Sequence, residues 1–421
     1  MTEHSSNPNQ LARMHLPVAL LWIALCLVGI WFSARVGYAR LVARYASVTG
    51  NLAAANKAVE LTPLDAQAHR VRSIILQNNG DATGAKKELE IAVSLRPRDD
   101  YLWLQLGVIR DELGQSEALL AFNESVRLAP YYAHPQWQRG NFLLRSGNYD
   151  DAFADLRTAA ASNKTLVPTL IDLAWGVSRK NPELTQRWAG ITDDKMRIAF
   201  ALFLARQGQA RDALEQFRAC KVVPNQVRTE LLQELIGANG FREAFEIWKG
   251  IESSDDNGIT SIHDGDFESR GGFDNTGFGW RFSQTLQGMR LSLDPDQAQS
   301  GSQSMLINFQ GYSDPASVIL SQLVIVEPGR RYRLKFGART KEMVTGGLPI
   351  ITVTDASGEK KQLGQSSGIE SDSWRRVSFD FQATNTTEAI TLGLQRNRCN
   401  SDRCPIFGSL WLDDFSIEEL K

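Results

Sequence analysis

The residues able to do chemistry are scattered along this chain of 421 residues. Its five histidines, His4, His15, His69, His134 and His263, show no spacing typical of metal ligands. Residues 364–368, GQSSG, match the letters of a nucleophile elbow, but they lie in a polar stretch between two strand patterns rather than at a strand-to-helix turn. Phosphate-binding and dinucleotide-binding motifs are absent from the sequence. We therefore predict a protein that is not an enzyme.

Two cysteines, Cys399 and Cys404, lie close together in the polar segment NRCNSDRCP. A second Cys or His pair that would complete a zinc site is missing from their neighbourhood in the sequence. A short-loop disulfide is the favoured interpretation, and it would indicate an oxidising compartment outside the cytosol. Two free loop thiols are the alternative.

Composition limits the classes of partner. The formal net charge is -2 and long basic runs are absent, which argues against nucleic acid because phosphate binding needs clustered Lys and Arg. The length predicts two to three domains.

An uncharged, mostly apolar run from Leu16 to Ala34 is long enough to cross a bilayer as a helix. It predicts one transmembrane helix over 15–35 after a short tail, 1–14; a cleaved signal peptide is the alternative. Arg13 precedes the run, whereas Arg35, Arg40 and Arg44 follow it, a count that alone places the bulk in the cytosol. Arg40 and Arg44 are also candidates for the first repeat helix, and we expect the bulk outside the cytosol.

Residues 38–252 repeat themselves. Pro63, Pro97 and Pro130 end successive helical units, and Trp103 and Trp137 are 34 residues apart. The clearest unit, DDYLWLQLGVIRDELGQSEALLAFNESVRLAP, resembles the tetratricopeptide repeat. We predict an α-solenoid of six to seven hairpins, with the fifth degenerate and a groove that binds a protein partner.

After a polar linker, 253–260, the period changes to strand-like alternation over 261–421. The segments DGDFES, GFGWRF, VEPGRRYRLKFGART, SWRRVSFDF and SLWLDDFSIEE resemble the jelly-roll carbohydrate-binding modules of bacterial glycoside hydrolases. The whole chain is thus predicted to be multidomain: one transmembrane helix, a tetratricopeptide superhelix, and an all-β jelly-roll sandwich.

The resemblance implies a structural calcium ion that ties the first strand to the last. Glu268 of DGDFES and Asp414 of WLDDFS match the family's positions, and calcium prefers carboxylate and carbonyl oxygens. Turn-capping or solvent-facing acids are the alternative.

Sugar binding needs aromatic rings beside polar groups, because apolar sugar faces stack on rings while hydroxyls need hydrogen-bond partners. In RYRLKFGAR, Tyr332 and every second residue point inward, which leaves the intervening cations outward. The predicted carbohydrate-binding residues are Trp280, Tyr312, Arg333, Arg339, Trp374 and Gln395. The alternative is core packing for Trp280 and Trp374, and a merely solvated basic face.

The sequence therefore predicts a membrane-anchored scaffold of the cell envelope, with a setting in exopolysaccharide or cell-wall assembly. Its array would bind a protein and its sandwich a polysaccharide. A protein–protein assembly factor whose sandwich binds no sugar is the alternative.

Overall fold

A computed structural model describes residues 8–250, 259–269, 277–282, 288–312, 314–358, 360–399 and 404–421, with only the backbone for 8–19. The chain separates into two compact units, 1–190 and 191–421. The second unit contains the last two helical hairpins together with the sandwich. The predicted domains, 38–252 and 261–421, are divided instead at the change from helices to strands. Most of the predicted linker, 253–260, lies outside the described residues.

The described chain from residue 8 to residue 249 is mostly helical. They are α1 (Pro8–Thr49), α2 (Leu52–Leu61), α3 (Ala66–Asn78), α4 (Ala82–Leu95), α5 (Asp100–Glu112), α6 (Ala118–Leu128), α7 (Ala133–Arg145), α8 (Tyr149–Ser162), α9 (Val167–Val177), α10 (Pro182–Ala189), α11 (Asp194–Arg206), α12 (Ala210–Arg218), α13 (Asn225–Gly237) and α14 (Phe241–Lys249), with a short 3₁₀ turn at Lys164–Leu166. They pair as seven hairpins, which agrees with the predicted six to seven.

The turn inside each hairpin uses a left-handed residue. Glycine takes this conformation in five of the hairpins, at Gly50, Gly80, Gly114, Gly147 and Gly208, because it lacks the Cβ that makes positive φ costly. In the fifth hairpin Arg179 and Lys180 have positive φ instead. This departure explains why the fifth repeat reads as degenerate in the sequence.

The position six residues after each repeat proline donates an N–H to the carbonyl of that proline. Trp103 Nε1 lies 2.9 Å from the Pro97 oxygen, His69 Nε2 lies 2.9 Å from the Pro63 oxygen, and Gln136 Nε2 bonds the Pro130 oxygen. Gln136, and not Trp137, is therefore the equivalent of Trp103. Trp103 and Trp137 are 34 residues apart, whereas Pro97 and Pro130 are 33 residues apart, so the two tryptophans do not occupy equivalent repeat positions.

His69 also contacts a buried carboxylate. Its Nδ1 lies 2.7 Å from Glu88 Oε2, and Arg72 bonds the other oxygen of Glu88. Since Glu88 and the Pro63 carbonyl are both acceptors, both ring nitrogens must donate, which makes His69 an imidazolium. The hydrogen bond to Glu88 raises the pKa of His69, although burial opposes the shift.

This raised pKa predicts a pH-dependent stability. The His69 contribution is full below the unfolded pKa, about 6.5, and is lost as the pH rises through the higher folded pKa. We expect the urea midpoint of the full chain, followed by helical circular dichroism, to fall as the pH is raised above about 6.5. His69→Gln should flatten this dependence, whereas Trp103→Gln at the equivalent position should retain it. An unchanged slope in His69→Gln would contradict the imidazolium assignment.

The described residues beyond 280 form two antiparallel five-stranded sheets. Its strands are β1 (Arg281–Phe282), β2 (Met289–Asp294), β3 (Ser304–Tyr312), β4 (Leu320–Ile325), β5 (Arg331–Thr345), β6 (Pro349–Asp355), β7 (Gln362–Gln365), β8 (Arg375–Gln382), β9 (Ala389–Arg396) and β10 (Pro405–Leu420). Sheet A has the order β1-β4-β9-β6-β7, and sheet B has the order β2-β3-β10-β5-β8.

The sandwich core lies between the two sheets. Sheet B contributes Tyr332, Leu334 and Phe336 from β5, and sheet A contributes Leu392 and Leu394 from β9. The alternation predicted for these two strands is confirmed. The hairpin array, the two-sheet domain and the one long apolar helix found in the described residues, α1, together confirm the predicted fold class.

Candidate glycan-binding surface

The predicted site residues lie in separate places. Arg333 and Arg339 are on β5 of sheet B, whereas Gln395 is on β9 of sheet A. Because the inward partners of these strands meet in the core, the outward side chains of β5 and β9 point in opposite directions. The predicted face that combined Arg333, Arg339 and Gln395 is therefore wrong.

Trp280 belongs to the core. Its side chain is 3% exposed, its ring lies 5.2 Å from the rings of both Phe267 and Phe415, and its Nε1 donates to the Asp264 carbonyl at 2.9 Å. A buried ring cannot stack on a sugar, so the core-packing alternative holds for Trp280. Trp374 is half-buried in the segment just before β8.

Two cations on the outer face of sheet B, Arg333 and Lys335, are paired with carboxylates. Arg333 donates two hydrogen bonds to Asp380, at 2.7 and 2.9 Å, and Lys335 contacts Glu418 at 2.7 Å. The Arg333 hydrogen bond holds the pKa of Asp380 below its usual value. These carboxylates offset the charges of Arg333 and Lys335, so this part of β5 is not a free basic face.

Arg339 has a structural role beside a tryptophan that the sequence analysis did not single out. Its guanidinium lies 5.4 Å from the Trp411 ring centroid, and its Nε donates to the Asp372 carbonyl at 3.1 Å. Trp411 is 7% exposed and donates to Asp294 at 2.7 Å. Arg339 thus holds neighbouring segments on the sheet.

The predicted calcium pair is divided between two networks. Glu268 accepts hydrogen bonds from the backbone N–H groups of Ser302 and Gln303, at 2.6 and 3.0 Å, while Asp414 bonds Arg376. The described residues contain no group of three or more His, Cys, Asp and Glu placed for a metal. Glu268 and Asp414 do not fit one shared calcium ion in this arrangement, and the ion itself stays a prediction of the resemblance.

One predicted residue, Tyr312, lies on an exposed surface with partners suited to sugars. It ends β3 opposite Pro405, and Gln310 on the same side of β3 is opposite Phe407 of β10. Phe407 in turn lies opposite Val344 of β5. We define the Tyr312–Phe407 surface as these exposed outward side chains of sheet B: Gln310, Tyr312, Val344 and Phe407.

The exposure of this surface is large for apolar groups. Tyr312 is 53% exposed, Phe407 48% and Val344 66%. The next outward row across the strands is polar, and its members are Arg290, Asn308, Ser409 and Lys341. Aromatic rings for stacking thus lie next to amide, hydroxyl and cationic groups for hydrogen bonding, which is the composition of a sugar-binding surface.

A β-bulge lies on β5 beside Phe407. The pairing of β10 with β5 shifts between Phe407 and Ser409, and Gly408 has φ +108°. A Cβ at this glycine would lie 2.4 Å from the Glu342 carbonyl oxygen. Only glycine fits there. Phe407 faces solvent by the regular alternation of β10, in which Ile406 and Leu410 are buried. The extra residue of the bulge lies on β5, where Glu342 has φ +53°, and it leaves Val344 exposed opposite Phe407.

The disulfide loop supports the same strand end. Cys399 and Cys404 are bonded, and Cys404 directly precedes Pro405, the first residue of β10. The buried Arg396 donates to the Cys404 carbonyl at 3.0 Å and to Thr345 Oγ1 at 2.9 Å. Burial lowers the pKa of Arg396. These two hydrogen bonds of Arg396 hold the start of β10 and the end of β5 together beneath the Tyr312–Phe407 surface.

The outer face of sheet A is partly covered by α14. The Phe278 ring lies 5.1 Å from that of Phe245 and 5.7 Å from that of Trp248, and Arg242 contacts Glu327 at 2.8 Å. A polar cleft of about 520 Å³ remains between the α13–α14 hairpin and this sheet, lined by Asn239, Arg281, Lys360 and Thr391 among others. Its described lining on the sheet side lacks the exposed aromatic rings of sheet B.

The comparisons with known proteins found matches to this chain only among solved structures. A structure titled "CBM4 structure and function" shares 13% identity and a TM-score of 0.29, covering 38% of this chain and 99% of that one. The CBM22-1 xylan-binding domain of Paenibacillus barcinonensis Xyn10C shares 16% identity and a TM-score of 0.29, covering 39% and 94%. The MamA protein shares 14% identity and a TM-score of 0.33, covering 46% and 100%.

No protein-family model and no curated protein matches the chain. Structural likenesses this distant identify neither a ligand nor a partner for it.

Proposed function

We propose that this protein is a non-catalytic, membrane-anchored scaffold of the cell envelope, whose sandwich holds a glycan on the Tyr312–Phe407 surface and whose helical array binds a protein. The observation that carries the proposal is the pair of exposed aromatic rings beside the polar row of sheet B. A setting in exopolysaccharide or cell-wall assembly would use both modules.

The anchor is α1, whose apolar part is exposed along its length and has a mean hydropathy of 1.9. The helix continues without a break to Thr49, so Arg40 and Arg44 lie on the first repeat helix. Their place in a folded repeat weakens the positive-inside argument for a cytosolic bulk. The Cys399–Cys404 disulfide supports the opposite placement, outside the cytosol.

The helical array has exposed apolar side chains for contact with a protein partner. Tyr131 is 88% exposed, Tyr132 68% and Leu64 82%, and all three follow repeat prolines between hairpins. Aromatic residues that are free of the core are enriched in protein interfaces. This surface supports a protein partner without identifying it.

Retardation in native gels tests the glycan-binding part. The detergent-solubilised full chain is run through gels that contain barley β-glucan, xylan or alginate, with a gel lacking polysaccharide as the reference. Because Arg333 and Lys335 of sheet B are paired with carboxylates, we expect retardation by a neutral glycan to equal or exceed that by alginate. Equal mobility in all gels would contradict the proposal and favour a protein–protein assembly factor.

A further inference from the structure

The first repeat helix has an apolar stripe that its own fold does not cover. Its members point away from the array and are largely exposed: Tyr38 58%, Leu41 67%, Tyr45 57% and Val48 80%. On the other side of the same helix, Ala43 packs with Ala58 and Ala68, and Ala46 packs with Ala55. The array therefore uses one face of α1 and leaves the stripe to solvent.

The spacing of the stripe is that of a coiled-coil seam. Its residues follow one another at three, four and three positions, which is the alternation that keeps side chains on one face of two supercoiled helices. The same series extends toward the N-terminus through Ala34, Trp31 and Leu27, again at steps of four and three. None of these seven positions is charged.

Lipid cannot cover most of this stripe if α1 spans the bilayer. The apolar run ends at Ala34, and Val48 lies 14 residues further along an unbroken helix, about 21 Å at 1.5 Å per residue. The headgroup layer on each side is only about 5–8 Å thick. Tyr38 lies within that layer, whereas Leu41, Tyr45 and Val48 lie beyond it.

We propose that α1 pairs with α1 of a second copy of this chain, in parallel and in register, through the seam Leu27, Trp31, Ala34, Tyr38, Leu41, Tyr45 and Val48. Two copies anchored by the same helix enter the membrane in the same direction and at the same depth. The equivalent seam residues are thus brought to equal heights, where each knob meets its counterpart. The inference rests on the membrane anchor of the proposed function.

Charge on the helix is compatible with this pairing. Arg40 and Arg44 lie on a third side of α1, with Ser47, away from both the seam and the buried alanines. Arg35 is directed to the array, since its Nε donates to the Leu61 carbonyl at 3.0 Å. Two parallel copies can therefore meet along the seam without placing arginines against each other.

Disulfide trapping in native membranes tests the pairing. Single cysteines are placed at Leu41, Tyr45 or Val48, and at Ser47 as the matched control on the same turn, in a full chain with Cys26→Ala and Cys220→Ala. Mild oxidation should give dimer at the three seam positions, about fivefold or more above the Ser47→Cys control. These sites are exposed, so the substitutions leave the fold intact.

Each other outcome is decisive. Equal trapping at all positions, trapping at Ser47 alone, or adducts only with a different protein would overturn self-pairing. The double variant Leu41→Glu/Tyr45→Glu should shift the detergent-solubilised chain from dimer to monomer in sedimentation, and an unchanged dimer would also overturn the seam. Alkaline carbonate extraction of the same membranes reports the anchor separately, because loss of the chain there contradicts the membrane span rather than the pairing.

Discussion

Replacing Phe407 and Tyr312 together by alanine is expected to abolish most of the glycan retention of this protein. Burying an aromatic side chain of this size against a ligand contributes about 1.5–3 kcal/mol of binding free energy. A loss of that order weakens binding about 10- to 100-fold. Both side chains are about half exposed in the free protein, so their removal should leave the sandwich folded. The measurement is the dissociation constant from retardation at graded concentrations of the retaining glycan.

Arg333→Ala is the matched control for this prediction. It removes a residue of the same sheet face that is engaged by Asp380, and an exposed ion pair contributes at most about 1 kcal/mol to stability. Glycan retention should stay within about twofold of the unmodified chain. A loss of retention in Arg333→Ala, with retention intact in the double variant, would place the site on the ion-paired part of β5 and contradict the Tyr312–Phe407 surface.

Trp280→Ala should produce the largest loss of stability in the sandwich. The substitution empties a site enclosed by Phe267 and Phe415 and removes the donor to the Asp264 carbonyl. Truncating a buried tryptophan costs about 3–5 kcal/mol. The opening free energy of the slowest-exchanging amides of β3 and β10, measured by hydrogen exchange on the full chain, reports this loss.

Trp374→Ala provides the comparison, because this side chain is half-buried before β8. Its cost should be well below that of Trp280→Ala, at about 1 kcal/mol. Similar opening free energies for Trp280→Ala and the unmodified chain would show that Trp280 is dispensable to the core.

The sequence predicts the helical array well because its signals are local. Prolines close the first three repeats, and Gly80, Gly114 and Gly147 supply left-handed turns at the matching spacing. Three residue types fill the same hydrogen-bond donor role, since His69, Trp103 and Gln136 each donate to a proline carbonyl. A search for repeated tryptophans misses this equivalence.

The site was only partly predictable because strand pairing is non-local. Alternation correctly separates inward from outward residues on β5 and β9, but it does not tell which sheet a strand joins, and so Arg333 and Gln395 were combined wrongly. Phe407 was missed because β10 was expected to begin at Ser409. Extending that strand to Pro405 would have found Phe407, because its outward direction follows the regular alternation of β10.

Hydrogen exchange of the full chain with and without saturating glycan tests the central claim most directly. The account predicts that protection rises in the ends of β3 and β5 and in residues 405–409 of β10, where the Tyr312–Phe407 surface lies. It predicts unchanged exchange in β8 and around the cleft between α13–α14 and sheet A. Protection confined to that cleft, or to β8 and the ion-paired part of β5, would contradict the account.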